Sequence, residues 1–96
     1  MLDQLTPESF HPYLNQTFRI QAEPAGSLDL TLAECSETGQ SGRSRPQFQV
    51  LFIGPVTPVL PQKIYRLVHE QMGALDLFLV PIGPDGRGMR YQAVFT

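Results

Sequence analysis

Residues 64–95 read IYRLVHEQMGALDLFLVPIGPDGRGMRYQAVF, and this stretch has the pattern of three antiparallel strands joined by two tight turns. In its middle part, residues 75–81, leucines occupy one face while Phe78 and Val80 lie on the other, because side chains alternate along a strand. Only Asp76 interrupts the apolar run. A strand that is apolar on both faces is usually covered on both. The pattern therefore predicts that residues 75–81 form a central strand of the sheet or barrel.

Further strands are predicted upstream of this stretch. Residues 17–23 and 28–33 alternate apolar and polar side chains on either side of a Pro-Ala-Gly-Ser turn, which is the pattern of a half-buried antiparallel hairpin. Residues 48–53 add a mainly apolar run of strand length. Together with the stretch above, these segments predict six strands.

A short helix is predicted at the amino end, because Thr6 can cap it, Pro7 suits its first turn and Glu8 favours the positive end of its dipole. We expect it to cover one open end or one face of the sheet. Its predicted inward residues are Leu5, Phe10, Tyr13 and Leu14. The predicted fold is mainly β: a small six-stranded antiparallel meander barrel or roll with one short N-terminal helix. An open sheet with the helix on one side is the alternative.

The length of 96 residues fits one domain spanning the whole chain, residues 1–96. Residues 37–46, ETGQSGRSRP, contain no apolar side chain and are rich in glycine and serine, which predicts a flexible loop. The formal net charge is −2 and the few basic residues are scattered, so the chain lacks the basic patch of a nucleic-acid-binding protein. No apolar run approaches the ~20 residues of a membrane span, and no signal peptide is recognisable. We therefore expect a cytoplasmic protein, or one exported as part of an assembly.

No catalytic or cofactor-binding pattern stands out. The single cysteine, Cys35, excludes an internal disulfide and is interpreted as a buried or half-buried thiol. A zinc site would need three or four convergent ligands, and the two histidines have no third ligand at suitable spacing, so we expect no metal and no cofactor. His69 and Asp76 could meet across a hairpin as the acid–base pair of a hydrolase. The alternative interpretation is an ordinary polar pair at the surface.

Two groups of residues are candidates for binding. The segment between the third and fourth strands carries Val56, Pro58, Val59 and Leu60, an apolar set that marks a protein contact if it is exposed. The alternative is that this segment folds back and caps the barrel. A small-molecule-binding barrel is a different hypothesis, with ligand contacts at Arg66, Arg90 and Tyr91.

Residues 65–67 (YRL), 77–84 (LFLVPIGP), 88–91 (GMRY) and 93–95 (AVF), together with His69, resemble a family of small bacterial proteins that carries a domain-of-unknown-function label. The resemblance implies no activity and no catalytic residue, and it suggests a loose association with phage-tail-like collar proteins. Our leading hypothesis is a non-enzymatic interaction or assembly module, with a protein partner or a second copy of the chain as its ligand. The small-molecule-binding barrel and the hydrolase are the alternatives.

Overall fold

The computed structural model describes residues 5–22, 26–39 and 47–95. It contains one short N-terminal helix followed by six antiparallel strands, which confirms the predicted fold class. The elements are the helix α1 (Pro7–Phe10), a 3-10 helix (His11–Tyr13), and the strands β1 (Thr17–Ala22), β2 (Gly26–Gly39), β3 (Gln47–Gly54), β4 (Lys63–His69), β5 (Gly73–Asp85) and β6 (Gly88–Phe95).

The strands close into a barrel in the order β1-β2-β3-β6-β5-β4. The ring closes where β1 pairs with β4, through Arg19 with Val68 and Ile20 with Leu67, so the alternative of an open sheet is wrong. The predicted meander order is also wrong, because β3 pairs with β6 and not with β4. This pairing brings Phe48 of β3 and Phe95 of β6 into a parallel stack with ring centroids 4.5 Å apart. The segment after β3 must consequently carry the chain across one end of the barrel to β4.

The prediction that β5 is covered on both faces is wrong. Its inward residues Leu77 and Leu79 are buried in the core as expected, but Phe78 and Asp76 point outward into solvent. In a closed ring every strand has two neighbours, so no strand is more central than another. The outer faces of the strands are consequently free to face water, and the apolar outer side chains of β5 are not covered by any described element.

The barrel interior is filled by the inward side chains of all six strands and by Phe10 of α1. The Phe10 ring lies 6.1 Å from that of Phe48 and 5.7 Å from that of Phe95, at the end of the barrel where β3 begins and β6 ends. This confirms the prediction that the helix covers one open end. The buried residues of the core cluster are Phe10, Phe18, Ile20, Leu30, Leu32, Phe48, Val50, Phe52, Leu60, Tyr65, Leu67, Leu77, Leu79, Met89, Tyr91 and Ala93, with Leu5, Tyr13 and Leu14 packed against them.

The second strand is much longer than the alternation predicts. It continues past Ala33 through a bulge and pairs with β3 as far as Gly39. Residues 37–39 of the predicted loop are therefore strand, while residues 40–46 lie outside the described residues. The continuation was not predictable from alternation, because residues 34–39 are mostly polar in sequence.

The turn between β5 and β6 packs closely on the end of β3. Gly88 has a φ of +143°, and a Cβ built on it would collide with the carbonyl oxygen of Gly54 and lie 3.1 Å from Cγ2 of Ile53. Gly86, two residues earlier, has no heavy atom within 4 Å of a built Cβ. The first glycine is therefore required by its surroundings, whereas the second is not.

Candidate interaction surface

The segment joining β3 to β4 is partly buried in the core and partly exposed to solvent. Leu60 is only 2% exposed and belongs to the core, so the prediction that it forms part of an exposed surface is wrong. Val56 and Val59 are 55% and 51% exposed, and Pro58 is exposed as well. The segment therefore caps the barrel through one residue and presents the other three to solvent.

Two tyrosine hydroxyls hold this cap in place. The backbone N–H of Leu60 donates a hydrogen bond of 2.9 Å to Oη of Tyr91, inside the barrel. Oη of Tyr65 donates a hydrogen bond of 2.6 Å to the carbonyl oxygen of Pro61. Both rings project inward from their strands, so the end opposite α1 is closed by a loop that is tied to the core.

Two exposed apolar side chains on neighbouring strands form a pair that sequence reasoning missed. Ile64 of β4 and Phe78 of β5 are direct cross-strand neighbours, and they are 65% and 49% exposed. The alternation places Phe78 on the outer face. We expected that face to be covered, because the strand is apolar on both faces. We call Ile64 and Phe78 the outer apolar pair.

The predicted ligand contacts do not converge. Tyr91 points inward and its hydroxyl is engaged by Leu60. Arg90 points outward and donates to the carbonyl oxygens of Gly83 and Ile82, at 3.1 and 3.3 Å. Arg66 lies on the outer face of another strand. The three side chains therefore cannot contact one small ligand inside the barrel.

Arg66 is engaged in an ion pair with Asp76. Its Nε and Nη2 donate to the two carboxylate oxygens at 3.0 and 3.4 Å. The hydrogen bond and the positive charge of Arg66 lower the pKa of the Asp76 carboxyl. Both side chains are more than half exposed, so we expect this pair to add little to stability.

His69 and Asp76 lie on opposite faces of the sheet, so the predicted acid–base pair is wrong. His69 points inward and is 4% exposed, with its ring between those of Tyr13 and Phe18 at centroid distances of 4.6 and 4.5 Å. The inward position of His69 could have been predicted from the alternation of side chains along β4, because His69 follows the inward Tyr65 and Leu67 at intervals of two.

The hydrogen bonds of His69 also assign it a structural role. Its Nδ1 accepts hydrogen bonds from the backbone N–H groups of Gln71 and Met72, at 3.0 and 3.2 Å. An acceptor Nδ1 leaves the proton on Nε2, which lies 2.7 Å from Oε1 of Gln16 and donates to it. Both ring nitrogens therefore hold the turn after β4 and the segment before β1, and neither faces a substrate.

Cys35 is half-buried, in agreement with the prediction. Its Sγ lies 3.7 Å from the carbonyl oxygen of Pro7 and donates to it. Partial burial, and then the negative charges of Glu8 and Glu37, raise the pKa of the thiol. A reactive thiolate is consequently disfavoured at this position.

Two grooves lie on the outer surface of the described strands. One, of about 670 Å³, follows the seam between β1 and β4 and is lined by Arg19, Arg66, Val68, Glu70, Thr17 and Gln21. The other, of about 130 Å³, crosses β2, β3, β6 and β5 and is lined by polar side chains together with Leu51 and Ile82. Of the three predicted ligand contacts, Arg66 faces the first groove and Arg90 the second.

Comparison with known protein families gives a match over nearly the whole chain. The family model described as a domain of unknown function, DUF6916, matches residues 5–95. The chain belongs to the DUF6916 family. Comparisons with curated proteins and with solved structures found no match. The family model confirms the predicted relationship to an uncharacterised domain, and it gives no support to the association with phage-tail-like proteins.

Within residues 5–22, 26–39 and 47–95, the helices of this DUF6916 domain are too short to cross a membrane. In the same part of the chain, no three side chains of the histidine, cysteine, aspartate or glutamate type lie together as a metal site would require. Every buried side-chain nitrogen or oxygen in these ranges has a hydrogen-bond partner. The candidate functional sites in this part of the chain are therefore on the outer surface.

Proposed function

We propose that this DUF6916 domain is a non-enzymatic interaction or assembly module, which binds a protein through apolar side chains on the outside of its barrel. The observation that carries the proposal is the outer apolar pair, an aromatic and a β-branched side chain side by side on two strands and exposed to water. Contiguous exposed apolar surface is typical of protein contacts. Covering a half-exposed side chain of this size contributes on the order of 1 kcal/mol.

The exposed residues of the capping segment, Val56, Pro58 and Val59, are the second part of the proposed surface. They belong to a loop whose ends are fixed by the core, because Leu60 is buried and bonded to Tyr91. A loop held in this way is already ordered, so it loses little conformational entropy when its apolar side chains bind a partner. Such preorganisation favours affinity.

The proposal is tested with the tagged domain and two matched variants. Ile64→Ser combined with Phe78→Ser removes the outer apolar pair, and Val94→Ser removes another exposed β-branched side chain from the outer face of β6. Each protein is used to capture partners from the lysate of its own organism, and light scattering gives the mass of what elutes. We expect a stoichiometric partner, or a second copy, to be lost with the double variant and kept with Val94→Ser.

A double variant that binds on the order of 30–100-fold more weakly, while its thermal unfolding is unchanged, would support the proposal. A wild-type domain that stays monomeric and retains no stoichiometric partner would contradict it. Val56→Ser with Val59→Ser tests the capping segment in the same assay. A loss with this variant alone would move the contact from the strands to the cap.

Assembly into a phage-tail-like particle is the more specific form of this proposal. It is supported by the sequence resemblance alone. It predicts that the captured partner is a structural component of such a particle, which mass spectrometry of the eluted complex identifies. A soluble enzyme or a regulatory protein as partner would contradict this form and leave the interaction module standing.

A further inference from the structure

One edge of β2 has no strand beside it in the described part of the chain. β1 pairs with residues 26–31 of β2. The last backbone bonds on that side join Leu32 to Gln16 and Asn15, at 3.0 and 2.7 Å. From residue 34 to Gly39, β2 pairs only with β3. Alternate backbone N–H and C=O groups of residues 34–39 consequently point away from the sheet, and we call this segment the β2 edge.

The β5 strand has a similar overhang, and the contrast between the two is informative. Residues 80–85 of β5 extend beyond the pairing with β4, which ends at Lys63 with Leu79. That overhang contains Pro81 and Pro84, which cannot donate to an added strand and therefore protect an exposed edge. The β2 edge contains no proline. Every residue in it keeps a backbone N–H, so this is the edge that can accept another strand.

The charge around the β2 edge limits what can pair with it. Glu34 and Glu37 belong to the edge and are exposed, and Glu8 of α1 acts on the same neighbour, Cys35, as Glu37 does. The cation that reaches this group is Arg87, whose Nη2 is 3.5 Å from Oε2 of Glu34. Two copies of this edge would bring like negative charges together, which disfavours self-pairing.

We propose that residues 34–39 of β2 accept an extended, lysine- or arginine-rich segment of a partner protein as an added strand. The backbone bonds would supply the affinity, and Glu34 and Glu37, which lie three residues apart on opposite faces of β2, would select for positive charges three positions apart on the incoming chain. This binding surface goes beyond the proposed function, because it uses backbone groups and carboxylates on β2 and none of the outer apolar pair on β4 and β5.

The test uses a synthetic eight-residue peptide in which pairs of lysines alternate with pairs of valines, so that lysines three positions apart lie on opposite faces, titrated into the 15N-labelled domain. We expect the amide signals of residues 33–39 to shift and those of Ile64 and Phe78 to stay in place. Glu37→Lys should weaken the binding about tenfold or more. Glu70→Lys is the matched control, because this exposed carboxylate lies in the turn after β4, away from the edge, and we expect its affinity to stay within about twofold.

A second peptide distinguishes strand addition from simple charge attraction. It has the same sequence with methyl groups on alternate backbone nitrogens, so it keeps its charge but loses the N–H groups that would donate to the β2 edge. We expect this peptide to lose the binding. Equal affinity of the methylated peptide, equal affinity of a glutamate-valine peptide, or shifts at Ile64 and Phe78 would each overturn the proposal. So would protection of the β2 edge by self-association without peptide. Binding that survives Ile64→Ser with Phe78→Ser separates this proposal from the proposed function.

Discussion

Replacing Tyr91 by phenylalanine tests the tie between the capping segment and the core. The change removes one oxygen atom and leaves the packed ring in place. It also removes the acceptor for the backbone N–H of Leu60, a bond that is buried at both ends. A buried donor without a partner costs about 1–3 kcal/mol. We expect Tyr91→Phe to lower the free energy of unfolding by that amount.

Tyr65→Phe is the matched control, since it removes the other hydroxyl that holds the same segment. Here the group left behind is the carbonyl oxygen of Pro61, a residue that is exposed and can bind water instead. The expected loss is therefore only the net value of one hydrogen bond, about 0.5–1.5 kcal/mol. The reasoning requires the Tyr91 variant to be the less stable of the two.

The measurement is equilibrium unfolding in urea, followed by far-ultraviolet circular dichroism because the chain has no tryptophan. Each kcal/mol lost should also lower the melting temperature by about 4–8 °C in a domain of this size. Equal losses for the two variants, or a larger loss for Tyr65→Phe, would refute the idea that burial of the Leu60 amide decides the cost. An unchanged dependence of stability on urea would confirm that only the folded state differs.

Three further predictions concern the core, a turn and the thiol. Leu77→Ala should lower the free energy of unfolding by about 2–5 kcal/mol, because it empties a buried position of β5; a urea titration that shows less than about 1 kcal/mol would contradict this. Gly88→Ala should destabilise the domain by about 1–3 kcal/mol, since its Cβ would meet the backbone of β3, and Gly86→Ala should be nearly neutral in the same melting experiment. Cys35 should react with iodoacetamide more slowly than a free thiol at pH 8.5, and its rate should rise only at higher pH, because its pKa is raised. Glu37→Gln should speed this reaction, and a rate equal to that of a free thiol in the wild-type chain would contradict the raised pKa that burial and the neighbouring charges give Cys35.

Alternation along the chain predicts the individual strands well, because each strand has one face in a packed interior. Phe18 and Ile20 of β1 are buried, as the period of two requires. The pattern does not contain the order of the strands. β3 is apolar on two faces and could pair with β4 or β6, and the observed pairing with β6 stacks Phe48 on Phe95, which are far apart in the chain.

The candidate site was harder to predict for the same reason. Whether Phe78 is covered or exposed depends on the closure of the ring, which is a property of all six strands together. Leu60 could not be separated from Val59 by composition, since both are aliphatic and only the folded structure buries Leu60 and exposes Val59. The β2 edge could not be recognised as a strand from apolar alternation, because residues 34–39 are mostly polar and pair with β3 alone among the described strands.

The seam between β1 and β4 has a consequence for how the domain folds. Its paired positions join residues from opposite halves of the chain, whereas β1–β2, β4–β5 and β5–β6 are hairpins between neighbours in sequence. Contacts between distant parts of a chain form late, because a long loop must be closed first. We therefore expect the seam to form after the rate-limiting step of folding, so that Leu67→Ala at the seam changes the unfolding rate far more than the folding rate. A variant that changes only the folding rate in stopped-flow measurements would contradict this expectation.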